Sequence, residues 1–257
     1  MEIRAYLRRI EYFGSLRPTI NVLRRLHRQH LLTVPFENLD IHLGRPIRLD
    51  QKRFFKKIVE EQRGGYCYEL NGCFAWLLKR LGFNVTMLSA RVAGKNGGFS
   101  PEFDHMVLLV QLEERWLADV GFGDLFAEPK RIDLRKPQRE DGKMFVISKN
   151  GQARLLSRKL EGQRSWSPQY SFRLKSHRLA EFASRNRYQQ TSPKSHFTKG
   201  RIVSRLTSSG RVSLSDSKLT TTTDRIKVEH LVGSSAEFNR LLFKHFGIRL
   251  TKSTSEA

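Results

Sequence analysis

The stretch Arg63-Gly64-Gly65-Tyr66-Cys67-Tyr68-Glu69-Leu70-Asn71-Gly72 constrains this chain more than any other. Two adjacent glycines allow a sharp, close-packed turn. A helical pattern follows at once: Leu70, Phe74, Leu77, Leu78 and Leu81 recur at three- and four-residue spacing until Gly82 stops it. Cys67 therefore falls in the first turn of a helix, where unpaired N–H groups and the helix dipole favour a thiolate. A nucleophile presented this way needs a base, and the base needs a third polar group to hold it. Read without chemistry, the same cysteine is a small buried hydrophobe.

At 257 residues, with 39% hydrophobic and 10% aromatic residues, the chain can bury a real core. Cys67 and Cys73 lie on one helix with about 9 Å of rise between them, on different faces, so they cannot bridge. Cys73 reads as core. The absence of a disulfide framework and of a signal-like N-terminus points to a reducing, cytoplasmic setting. No run approaches the roughly 18 apolar residues of a membrane span. The net charge of +22 is extreme, and residues 129–211 hold 21 Lys and Arg against 5 Asp and Glu. An anionic partner, either a polyphosphate cofactor or nucleic acid, is one reading; a solvated basic surface is the other. The cations are scattered with no long basic block, which weighs against nucleic acid.

Residues 1–13 place Ile3, Tyr6, Leu7, Ile10 and Phe13 on one helical face, and Thr19 caps a second helix running to about His30. Pro35 interrupts before Asp50 caps a third helix, with Phe54, Phe55 and Ile58 inward. Residues 1–82 thus form a helical unit carrying Cys67. The period then changes. Residues 85–92, 105–112 and 115–120 read as strands, with further short ones at 143–148, 153–157 and 169–174, as in a small antiparallel barrel or sheet. Residues 177–187 read as a short helix, and strands over 200–206 and 211–214 flank a Ser208-Ser209-Gly210 hairpin. Ser234 and Glu237 form a capping box for a helix over 235–246 ended by Gly247, with a frayed polar tail after Leu250.

His105 opens an apolar strand, and Asp119 interrupts a segment that is otherwise apolar. A buried carboxylate is costly unless a donor meets it, and the imidazole of His105 on the neighbouring strand is such a donor. A two-residue turn at Glu113-Glu114 would oppose Leu112 to Arg115 and send Asp119 to the face away from His105. A Cys67–His105–Asp119 constellation therefore demands a different loop length or a bulge. Even so, the three residue types alone fit a papain-like or transglutaminase-like enzyme as well as any other acyl transfer. No spacing supports a zinc site, no phosphate-binding loop occurs, and Gly121-Phe122-Gly123 is too short for a dinucleotide fingerprint.

Five segments together resemble the arylamine N-acetyltransferase family: Val34-Pro-Phe-Glu-Asn-Leu39, Arg63 to Asn71, His105, Ala118-Asp-Val-Gly-Phe-Gly123, and Ser195-His-Phe-Thr-Lys199 followed by a hairpin. They occur in the family's order across about residues 1–250. The resemblance implies an α+β fold with a papain-like cysteine core: a helical bundle (1–82), an antiparallel β-barrel (83–183) and an α/β lid (184–257). It implies a cytoplasmic enzyme of xenobiotic metabolism with a Cys67–His105–Asp119 triad. Acetyl-CoA would be cosubstrate, arylamines, arylhydrazines or hydrazides the acceptors, and no metal or membrane would take part. Phe36, Phe122 and Phe197 would form an aromatic wall around Cys67, and Gly121 and Gly123 would let the pantetheine or pyrophosphate of coenzyme A approach the backbone. Glu37 and Arg63 look like an ion pair pinning the Cys67 turn. Where some relatives carry a cysteine in the strand after Phe197, this chain has Ser204, so no catalytic role falls there. Two rival readings share these residues: a basic binding module without catalysis, and an amide synthase using another acyl thioester.

Overall fold

The computed structural model describes residues 1–94, 96–224 and 226–250; the tail expected to fray lies outside them. Helices α1 (Ile3–Arg9) and α2 (Ile20–Thr33) come first. The first is shorter than its periodicity suggests, because Glu11 takes a left-handed φ of 53° and turns the chain. Phe13 consequently points outward, 84% exposed. Thr19 caps α2 through the N–H of Val22. Strand β1 (Phe36–Glu37) and the short α3 (Leu39–His42) follow, then α4 (Gln51–Phe55), which Asp50 caps through the N–H of Arg53 (2.9 Å) and which continues as a π-turn over Lys56–Glu60. Helix α5 (Cys67–Arg80) is buried along most of its length.

An eight-stranded antiparallel sheet comes next: β2 (Asn84–Val92), β3 (His105–Gln111), β4 (Arg115–Ala118), β5 (Lys130–Arg131), β6 (Gln138–Glu140), β7 (Lys143–Asn150), β8 (Ala153–Leu160) and β9 (Ser167–Arg173), in the order β5-β4-β3-β2-β9-β8-β7-β6. Its edge strands β5 and β6 meet through side chains. Gln138 bonds both the N–H and the C=O of Arg131, and Lys130 pairs with Glu140. The sheet therefore curls into a nearly closed barrel whose interior holds Leu88, Val107, Leu117, Phe145, Leu156 and Phe172. The opposite faces of β3 and β4, with Met106, Leu108, Val110 and Trp116, pack against the α5 core. Both faces of these strands are thus buried, and an apolar run follows from that rather than strict alternation.

A short 3₁₀ turn over Leu179–Phe182 leads into α6 (Ala183–Thr191). Then β10 (Ile202–Thr207), β11 (Gly210–Ser215), β12 (Lys218–Thr223) and β13 (Ile226–Leu231) form a second sheet in the order β1-β10-β11-β12-β13, packed on α7 (Ser235–Phe246). Ser234 caps α7 through the N–H of Glu237, and Gly247 closes it at φ 70°. Strands β12 and β13 were not anticipated from the sequence. β1, from the helical region, pairs with β10, so this sheet ties the two ends of the chain together. Among the described residues no helix is long and apolar enough to cross a membrane.

Candidate active site

Gly64 and Gly65 are required by close approach, and neither takes a left-handed φ. A Cβ on Gly64 would lie 1.9 Å from the carbonyl oxygen of Pro35, and one on Gly65 would lie 2.7 Å from Glu69 Oε2. That Glu69 oxygen accepts from the N–H of Tyr66 (3.1 Å) and so caps the start of α5. Behind the turn lies a buried ionic cluster. Arg63 donates to Glu37 (2.8 Å) and Asp40 (2.8 Å), and Lys57 Nζ reaches Asp40 and Glu69 (each 2.8 Å) and Glu37 (3.5 Å). Three carboxylates share two cations. Burial, with the like charges of Glu37 and Asp40, pushes Glu69 up to about 7 despite Lys57. Burial opposes the charge on Lys57, but its three carboxylates outweigh it and hold the ammonium on. The Glu37–Arg63 pair expected from the sequence is present, and Asp40, Lys57 and Glu69 complete it.

On the other side of Cys67, the β3–β4 register is Gln111 opposite Arg115 and Leu108 opposite Ala118. The loop therefore has three residues, Leu112-Glu113-Glu114, instead of two. Adding one residue reverses the parity of β4, so Asp119 faces the same side as His105. His105 Nε2 lies 2.8 Å from Asp119 Oδ2, with both groups buried. Asp119 Oδ1 accepts from Asn71 Nδ2 (2.9 Å) and from the N–H of Gly121 (3.0 Å). Burial would raise the Asp119 carboxyl, but His105, Asn71 and the Gly121 amide hold it below its ordinary value.

Asn71, one turn after Cys67, also donates to the carbonyl of Met106 (2.7 Å) and accepts from the N–H of Val120 (2.9 Å), fastening α5 to β3 and to the segment after β4. His27 Nε2 accepts from the N–H of Asp119 (3.1 Å), while its Nδ1 donates to the carbonyl of Ala127 (2.8 Å). Burial lowers His27 to about 4, so it is neutral. Tyr170 packs on His105 at 5.4 Å between ring centroids, with its buried hydroxyl beside the Asp119 carboxylate. Sequence reasoning assigned none of Asn71, His27 and Tyr170 a part in the site. A histidine on the inner face of α2 and an asparagine one turn past Cys67 were the available signals.

One expectation is corrected. The helix N-terminus does not by itself make Cys67 a thiolate. Burial pushes its thiol well up, Asp104 and Asp119 add to this, and the backbone amides of Met106 and Tyr68 only partly offset it. A proton acceptor is needed. Gly121 is closely packed in the direction of its absent side chain. A Cβ there would lie 2.7 Å from Asn71 Nδ2 and 2.8 Å from Cys67 Cα, so the missing side chain admits the protein's own helix. Gly123 does line open space. It takes a φ of 92° beside Phe36 and borders a cavity of about 650 Å³ together with Asp119, Phe122 and Asp124.

Of the aromatic trio, Phe36 and Phe197 pack together at 6.1 Å, and Phe197 also meets Tyr66 at 5.8 Å. Phe122 stands apart, against His105 at 5.2 Å and Tyr170 at 5.3 Å. At the cavity's rim Asp124 gathers Lys143 (3.1 Å), Arg211 (3.3 Å) and Arg158 (3.4 Å); these cations hold its carboxyl low against the effect of burial. Asp104, in the loop before His105, is held by Arg185 and by Gln189 (2.7 Å). Cys73 is buried, with its thiol pushed up by burial to about 12. Ser204 of β10 bonds Ser213 of β11 (2.8 Å).

A family model described as N-acetyltransferase matches residues 19–255. An arylamine N-acetyltransferase of Escherichia coli K12 is 36% identical over 219 residues, covering 82% of this chain and 75% of that protein. This chain belongs to the arylamine N-acetyltransferase family. The solved arylamine N-acetyltransferase of Salmonella typhimurium superposes with a TM-score of 0.92 at 30% identity, over 98% of this chain and 93% of that one. The Mycobacterium marinum enzyme, solved in complex with CoA, superposes at 0.88 and 28% identity, over 96% and 93%. The α+β fold is therefore that of the arylamine N-acetyltransferases, and the protein is an acyltransferase of this family.

Proposed function

We propose that this arylamine N-acetyltransferase moves the acetyl group of acetyl-CoA to the nitrogen of arylamines, arylhydrazines or hydrazides through an acetyl-Cys67 intermediate. The observation that carries the reading is the buried His105–Asp119 pair at 2.8 Å, fastened by Asn71 to the helix that begins at Cys67. Asp119 engages His105 Nε2, which leaves Nδ1 to take the Cys67 proton. The thiolate attacks the thioester carbonyl, and the tetrahedral adduct collapses with release of the CoA thiolate, which recovers the proton from His105. An amine then attacks the acetyl-cysteine, gives its proton to His105, and departs as the amide while the Cys67 thiol is restored. Thiolate and thioester exchange with little driving force, so the acyl-enzyme keeps enough reactivity for a weakly basic amine.

Phe36, Phe122 and Phe197 supply flat apolar surface for an aromatic acceptor. Gly123 and the cations around Asp124 are the groups we assign to the donor, and the basic 129–211 region attracts its phosphates. We read the chain as three units, 1–82, 83–183 and 184–257, with β1 lent to the last, and place the enzyme in the cytoplasm. Neither a membrane nor nucleic acid is part of the reading. Mass spectrometry after incubation with acetyl-CoA tests it: an adduct of ~42 Da on Cys67 is expected, lost when an arylamine is added. No adduct, or one that arylamines leave in place, sinks the proposal.

A further inference from the structure

Among the described residues the two sheets treat their edges differently. The barrel joins β5 to β6 through side chains, and β1 is bridged to Gly65, but β13 has no neighbour on its outer side. Ile226, Val228 and Leu231 on it are 70%, 62% and 78% exposed. An unguarded strand edge is a template for another strand.

The ladder fixes which groups face outward. The N–H of Val232 donates to Ser217 O (2.9 Å), directly across the continuation of the β12–β13 register. Antiparallel bonding alternates residue by residue. Ile226, Val228 and His230 therefore bond inward to β12, whereas Lys227, Glu229 and Leu231 turn their N–H and C=O outward.

We propose that two copies of this chain associate through β13, edge to edge and antiparallel about a two-fold axis at Val228. In that register Lys227 of each copy lies opposite Glu229 of the other. These are outward-facing residues, so the two pairs exchange about four backbone hydrogen bonds. Val228 meets Val228, and Ile226 meets His230, whose Nε2 is held by Glu237 of its own chain (2.8 Å), on the side of α7. Moving the axis by one residue sets Lys227 against Lys227 or Glu229 against Glu229. Moving it by two loses both charge pairs and most of the overlap. Glu229 already gathers Lys218 (2.8 Å) and Lys227 (2.6 Å) within its own chain, so a carboxylate stands ready where the second copy's Lys227 would arrive. The contact is small and each copy carries +22, so the association is weak, with a Kd roughly in the 10–100 μM range.

Analytical ultracentrifugation of the full chain in ~0.2 M salt, from roughly 5 to 300 μM, tests this. The mass is expected to rise from one protomer to two. Lys227→Glu alone and Glu229→Lys alone should each weaken association about tenfold or more. An equimolar mixture of the two, or the double variant, should recover it, because the opposite-charge pairs are re-formed. Thermal melting of each variant alone checks folding. A mass of one protomer throughout overturns the proposal, as do single variants that associate like the parent or a mixture that stays monomeric. A chain ending at Leu250 should associate as the full chain does; association seen only after that truncation would give the edge to the chain's own tail and would also overturn it.

Discussion

Cys67 lies between two buried polar clusters built on different principles. On the side of the glycine turn, Glu37, Asp40, Lys57, Arg63 and Glu69 form a knot of charges in which every cation has two or three carboxylates. On the strand side, Asn71 and the Gly121 amide donate to one oxygen of a single carboxylate whose other oxygen faces His105, and His27 accepts from the backbone N–H of that same Asp119. The first cluster fixes the turn because losing either cation would leave buried carboxylates uncompensated. The second fixes geometry with neutral hydrogen-bonding groups, so a proton can come and go without unfolding its surroundings. A catalytic cysteine needs both, and here they are kept on opposite sides of one helix end.

The sharpest way to break this comparison is to disable the strand side. Cys67→Ala or His105→Ala should cut arylamine acetylation by about 10³-fold or more, and Asp119→Asn by about 10²–10⁴-fold, with urea midpoints close to the parent's. If these variants lose stability as well as activity, the strand cluster is structural too. The turn side should behave oppositely. Arg63→Ala leaves Glu37 and Asp40 buried with too little positive charge and should cost roughly 3–5 kcal/mol in urea unfolding. A variant that lost turnover but not stability would refute the division.

Asn71→Ala belongs to both sides of the helix end, and should lose about 1–3 kcal/mol of stability together with part of kcat. The pH dependence follows with smaller effect. Glu69, raised from 4.5 to about 7, holds a proton when folded that the unfolded chain has released, so its contribution is present below 4.5 and fades as pH rises through 7. His27, lowered from 6.5 to about 4, has the reverse sign: its contribution is present above 6.5 and fades as pH falls through 4. The two oppose each other between these limits. Glu69→Gln should therefore make the protein more acid-sensitive between pH 7 and 5 in denaturant titrations; an unchanged slope would remove Glu69 from this role. The smallest effect is on the donor: the KM for acetyl-CoA should rise with salt as the phosphates are screened, and a flat KM would discount the basic region.

Much of this was legible in the residues. Thr19, Asp50 and Ser234 cap the helices their side chains suggested, because capping is a local matter. The demand that His105 and Asp119 placed on their hairpin was legible too, although the loop that meets it was not. Lys57 was missed despite lying three residues after Phe54, on the apolar face of its helix. A cation there asks for buried acids, but those acids come from elsewhere in the chain. β1, β5 and β6 are strands of two or three residues that exist only because distant partners pair with them. β13 escaped notice although Ile226 and Val228 alternate with Lys227 and Glu229, since its six residues are all exposed and no core pattern marks them.

The tip at Leu112-Glu113-Glu114 joins two strands whose pairing matters more than its own length. Gln111 must stay opposite Arg115, because paired residues share a face and a one-residue slip of that register turns Asp119 into the opposite compartment. A residue gained or lost within the tip is taken up by the loop, whereas one gained or lost between Arg115 and Asp119 must be swallowed by a bulge. The tip is thus a clasp whose length can vary while its two flanking residues stay paired, and an alignment of working relatives should show gaps at 112–114 and none between Arg115 and Asp119.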